Sequence, residues 1–111
     1  MQFFELPKQA SNVETAWLAF PLTIKKDAPF KRIDIVTELE KNGIQTRPIF
    51  TGNILKQPGF KKIERREFNN NFPNANLIME QSFLVGCNQG LTEEHIKYME
   101  NIFGRFLKRF K

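Results

Sequence analysis

The segment from Thr92 onward constrains the fold most. Thr92-Glu93-Glu94 offers a capping hydroxyl and two carboxylates for a first helical turn. Ile96, Met99, Phe103, Phe106 and Phe110 then recur at spacings of three and four, with Ile102 and Leu107 beside them. This is one apolar face of a helix, and it must lie against a dry surface. A chain of 111 residues provides one core, not two. Twelve Phe stand against one Trp and one Tyr. Phe has no polar handle, so these rings need apolar partners, some of which can belong to another domain or subunit.

The surface for that helix is a small sheet. Trp17–Ile24 reads as a first strand from its aromatic and β-branched content, with Pro21 pointing to an edge or a bulge. Asp27-Ala28-Pro29-Phe30 opens a helix, Asp27 as cap and Pro29 in the first turn. Phe30, Ile33, Val36 and Leu39 form its apolar face with Ile35 flanking, and Asn42-Gly43 ends it. Ile44–Phe50 is a second strand, and Thr51-Gly52-Asn53 turns out of it. Residues 54–76 hold the breakers Pro58, Gly59 and Pro73 and the polar loop Asn69-Asn70-Asn71, with room for one or two short helices. Ser82–Gly86 is a third strand. The order βαβ, irregular stretch, βα predicts a two-layer α/β sandwich, a small sheet with helices on one face. Residues 1–16 show no period and read as an arm arriving from elsewhere; residues 17–111 form the domain.

Composition excludes several functions. One cysteine, Cys87, and one histidine, His95, leave no internal disulfide, no cysteine-only metal site and no two-histidine zinc site. No run approaches the roughly 20 apolar residues of a membrane span and no signal peptide opens the chain, so a cytoplasmic setting is expected and no membrane partner. The net charge of +5 gathers in Lys61, Lys62, Arg65 and Arg66 and in Arg105, Lys108, Arg109 and Lys111. A basic α/β nucleic-acid-binding module is one reading of that charge. The last cluster, however, sits where a helix dipole favours cations, and most Phe fall on helix faces or in the irregular stretch rather than on alternating strand positions. No nucleic-acid partner is therefore expected.

Nucleotide-binding, nucleophile-elbow and zinc-protease motifs are absent. Glu93 and Glu94 are adjacent on a helix and point about 100° apart, so they do not share a site. Cys87, after a strand, reads as a small packing residue. Thr46-Arg47-Pro48-Ile49-Phe50-Thr51-Gly52-Asn53 differs in character. An arginine within a strand either faces solvent or meets an anion. Gly52-Asn53 then lets the backbone approach another group closely.

Residues 43–60, with the pattern T-R-x-x-F-x-G-N-x-x-x-Q-P over Thr46–Pro58, resemble a segment of the nucleotide-sugar 3-dehydrases, a branch of the DegT/DnrJ/EryC1/StrS aminotransferase family. Trp17–Ile24 and Ser82–Thr92 resemble two further strand segments of the same family, in the same order. The resemblance implies the C-terminal small domain of a fold-type-I enzyme of vitamin B6. A large N-terminal domain, outside this chain, would hold pyridoxamine or pyridoxal phosphate, the histidine base and, in many members, a [2Fe-2S] cluster. It implies a homodimeric parent that removes the 3-hydroxyl of a nucleotide-linked 4-keto-6-deoxyhexose for lipopolysaccharide dideoxysugars, and a chain that is inactive alone. A sugar aminotransferase small domain is the alternative within the family. No residue here matches the catalytic or metal-binding machinery. Arg47 is expected to contact substrate or cofactor-bound intermediate, with Asn53 and Gln57 in support.

Overall fold

The computed structural model describes residues 2–66 and 71–111. Asn69 and Asn70 of the expected polar loop lie outside them. Four strands form one antiparallel sheet in the order β1-β2-β4-β3: β1 is Phe4–Glu5, β2 Ala19–Ile24, β3 Thr46–Pro48 and β4 Ser82–Gly86. Three α-helices accompany them: α1 (Arg32–Lys41), α2 (Pro73–Gln81) and α3 (Glu93–Lys108). The two-layer sandwich is as the sequence predicts.

Register explains the layering. Leu22 lies opposite Phe83, and Phe20 opposite Val85. These side chains share one face, because opposed residues of an antiparallel pair point the same way. That face joins Phe4 and Ile24 to Ile35 and Leu39 of α1 and Ile102, Phe103 and Phe106 of α3 in one core. Edge-to-face rings knit it, with Phe30 against Phe106 at 5.0 Å and Phe4 against Phe103 at 6.2 Å. α3 also clasps the end of α1. Tyr98 donates its hydroxyl proton to the Asn42 carbonyl, Arg105 donates to the Asn42 side chain, and Arg109 pairs with Glu38. Part of the C-terminal basic cluster thus serves helix–helix packing.

Several boundaries differ from the sequence reading. Phe4–Glu5, within the expected arm, pairs with Ile24 and Thr23, and Phe4 is buried. The α1 helix starts at Arg32, later than Asp27. The Ala28 N–H closes a turn onto Lys25, and the Asp34 carboxylate accepts from the Lys31 N–H at 2.8 Å instead. Leu39 and the flanking Ile35 are fully buried, Phe30 is in the core and Val36 packs against it, as the apolar face predicts; of the expected stripe Ile33 alone is exposed. Asn42 caps its C-terminus and Gly43 takes φ +73°, as expected. Pro21 is on an interior strand, but β1 reaches only Thr23 and Ile24, so no strand faces it on that side. The irregular stretch contains two 3-10 turns, Ile54–Lys56 and Pro58–Phe60, and the first turn of α2, with Pro73 at its N-terminus.

α1 and the edge strand β3 are tied by Glu40. Its carboxylate accepts from the Thr46 backbone N–H and from the Thr46 hydroxyl. The backbone bond first and the hydroxyl second hold this carboxyl below the usual range. A depressed folded-state value means the tie is complete above the free carboxyl's range and is lost as pH falls through the depressed one. In an NMR titration the Thr46 amide should move with a midpoint below that of free glutamate, and Glu40→Gln should flatten the curve. A midpoint at or above the free value would contradict the assignment.

Candidate functional site

Arg47 lies opposite Leu84, which lies opposite Pro21. This row points away from the face that packs on α1 and α3, because Phe83 and Val85, the neighbours of Leu84, point into the core. Strand β3 is an edge, as Pro48 indicated. The Arg47 side chain is exposed, and with the described residues it makes neither a hydrogen bond nor an ion pair. A guanidinium on an open sheet face is available to an anion from outside the domain.

Alternation stops after Pro48, since the strand ends there. Phe50 adopts φ +45°, and its N–H turns back to the Pro48 carbonyl at 2.9 Å. The residue is 82% exposed. Left-handed backbone at a bulky residue costs on the order of 1–3 kcal/mol and persists only where the surroundings impose it. They do so here. The Gly52 N–H bonds to the Ile49 carbonyl at 3.1 Å, and Gln57 Nε2 donates to the Thr51 carbonyl at 2.9 Å. Gly52, at φ +60°, lies so close to Met79 of α2 that an added Cβ would stand 2.4 Å from the Met79 Cβ. Arg32 completes the bracing by donating to the Met79 and Ser82 carbonyls at 2.9 and 3.1 Å, which fixes the end of α2. A cleft of about 230 Å³ runs between this turn and Arg32, with Gln57 and Met79 in its wall.

Asn53 is elsewhere. It is 6% exposed; its Oδ1 accepts from the Leu55 N–H at 3.0 Å and its Nδ2 donates to Asn76 Oδ1 at 2.8 Å. Asn76 in turn donates to the Asn71 carbonyl at 2.8 Å. Asn53 thus caps a 3-10 turn and fastens the loop to α2. The three residues singled out from sequence do not converge on one pocket. Arg47 is on the sheet face, Gln57 lines the cleft beneath the turn, and Asn53 borders a separate hollow with Asn76 and Phe72. The conformation of Phe50 and the bracing by Arg32 were missed. The sequence signals them only through Gly52, two residues beyond Phe50.

These residues do not fit the role of holding a phosphorylated B6 cofactor or a metal. Among the described residues no lysine is buried, and no group of three His, Cys, Asp or Glu side chains could hold a metal ion. His95 Nδ1 accepts from the Thr92 N–H at 3.1 Å and meets its hydroxyl at 3.0 Å, so this imidazole caps α3. Half-buried Cys87 lines an apolar groove between the sheet and α3. No described helix is long and apolar enough to cross a membrane.

Comparison with known proteins places this architecture. The model of the DegT/DnrJ/EryC1/StrS aminotransferase family matches residues 1–103. The lipopolysaccharide biosynthesis protein RfbH of Salmonella typhimurium is 34% identical over 105 residues, covering 95% of this chain and 24% of that protein. The dTDP-4-dehydro-2,6-dideoxy-D-glucose 3-dehydratase of Saccharopolyspora spinosa is 31% identical over 104 residues, 94% of this chain and 22% of the relative. A solved structure of the E. coli GDP-4-keto-6-deoxy-D-mannose-3-dehydratase with bound hydrated PLP aligns with a TM-score of 0.78 at 31% identity, over 90% of this chain and 25% of that one. The chain therefore spans about a quarter of the length of the relatives it matches. By its sequence segments and its small antiparallel sandwich, the chain belongs to the DegT/DnrJ/EryC1/StrS aminotransferase family.

Proposed function

We propose that this chain is the C-terminal small domain of a nucleotide-4-keto-6-deoxyhexose 3-dehydrase of lipopolysaccharide dideoxysugar biosynthesis. The parent is read as a cytoplasmic homodimer whose large N-terminal domain holds pyridoxamine or pyridoxal phosphate and the catalytic base. A [2Fe-2S] cluster, where the parent uses one, belongs with that domain too. The observation that carries the reading is the Thr46–Pro58 pattern, whose arginine stands on an open edge strand and whose glycine and asparagine lock the turn behind it. Two of the relatives are named as 3-dehydratases, which favours dehydration over amino transfer.

In this reading Arg47 faces the cleft between the domains and grips the diphosphate of the nucleotide sugar through paired hydrogen bonds. Gln57 and Asn53 support it by holding the 48–53 turn, through Thr51 and Asn76. Substituting Arg47→Lys in the full-length enzyme keeps the charge and removes the fork. Loss of a charge-assisted hydrogen bond is worth about 1.5–3 kcal/mol, so kcat/KM should fall roughly 10- to 150-fold with the melting temperature nearly unchanged. Unaltered activity, or activity lost only together with folding, would make Arg47 structural.

A further inference from the structure

We propose that Phe50 is an aromatic platform for one of the two rings that flank the diphosphate of the substrate, a specificity-determining residue beside Arg47. This rests on the nucleotide-sugar reading above. Scattered exposed apolar side chains are ordinary on protein surfaces. Phe50 differs in two independent respects: the residue is 82% exposed, and its backbone sits at φ +45°. A bulky residue in that conformation is an outlier. Here the turn imposes it from three sides: the Gly52-to-Ile49 bond, the Gln57-to-Thr51 bond and the close seat of Gly52 on Met79. The fold therefore presents the ring to the outside of the domain from a braced backbone, where its own core gains nothing from it. Strain of this kind concentrates where a ligand is recognised.

The ligand class follows from what stands nearby. Arg47 is three residues upstream, within about 10 Å of chain, and is unpaired with the described residues. A cation for an anionic group and a bare aromatic ring for the face of another ring, that far apart, suit a diphosphate with a ring attached. In a nucleotide sugar that ring is the base on one side and the hexose on the other. The base offers a flat π face to an aromatic side chain, and the puckered hexose its C–H face.

The test uses the full-length enzyme with Phe50→Leu, which keeps apolar bulk, and Phe50→Tyr, which keeps the ring. Steady-state kinetics with the nucleotide sugar, calorimetric binding of the free nucleoside diphosphate, and thermal melting are measured on each. Phe50→Leu should raise KM about tenfold, the scale of one lost ring stack, with kcat and melting temperature little changed, and Phe50→Tyr should stay near wild type. If free nucleoside diphosphate weakens equally, the platform holds the base; if it binds as before, the hexose. Wild-type values for both variants would overturn the proposal. So would an equal loss in both that tracks melting, since that marks Phe50 as packing against another domain. The calorimetric arm needs no turnover, so an enzyme that binds nucleotide but does not dehydrate sinks the dehydrase reading and leaves Phe50 to be judged on binding.

Discussion

Replacing Phe106 with Ala should remove about 3–5 kcal/mol of stability, the range for truncating a buried Phe. The ring is 2% exposed and packs on Phe30 at 5.0 Å and Phe110 at 5.3 Å, with the Arg109 guanidinium over it at 5.6 Å. Phe30 in turn contacts Phe3, Phe4 and Phe110, so the cavity opens within one connected set of rings. Small domains hold roughly 5–15 kcal/mol in all. The expected drop in melting temperature is about 15–30 °C by circular dichroism. Phe110→Ala, at the half-buried rim, should lose clearly less. Equal small losses at both would show that α3 does not depend on Phe106 for its seat.

Substituting Gly52→Ala should be nearly as damaging, for a local reason. A methyl there would meet the Met79 Cβ at 2.4 Å and the Met79 Cα at 2.8 Å, and the backbone φ is +60°. The left-handed conformation costs an alanine about 1–2 kcal/mol, and a contact that cannot be relieved by a rotamer adds about 1–3 kcal/mol. Urea unfolding should therefore show a loss of roughly 2–5 kcal/mol. The control is Gly59→Ala, where nothing lies within 4 Å of the added atom and φ is not positive; it should stay within about 0.5 kcal/mol. Comparable losses at the two glycines would mean that Gly52 is not wedged against α2.

Legibility from sequence followed the length and kind of signal. The α3 helix and strand β4 were readable because their cues are local: the Thr92 hydroxyl caps the His95 N–H at 3.3 Å, and an apolar face follows it. Strand β1 was not readable, since two residues carry no period; only the burial of Phe4 against Phe83 and Phe103 reveals it. In α2, Pro73 read as a breaker, although its fixed φ suits a first helical position. At the candidate site, Pro48 signalled the edge that exposes Arg47. The Asn53–Asn76–Asn71 chain was hidden because it joins residues 23 apart across an irregular stretch. The posture of Phe50 was hidden because it is imposed by neighbours such as Met79, not by Phe50 itself.

The central claim is tested most directly by one assay run on two proteins. This 111-residue chain and the full-length enzyme that carries it are each titrated with pyridoxamine phosphate and given nucleotide-linked 4-keto-6-deoxyhexoses, with products read by mass spectrometry. The account predicts that the chain alone shows no saturable cofactor absorbance change and no turnover, while the full-length protein yields a sugar lacking its 3-hydroxyl. Saturable micromolar cofactor binding by the chain alone, or a full-length protein that aminates the sugar and keeps the 3-hydroxyl, would contradict it.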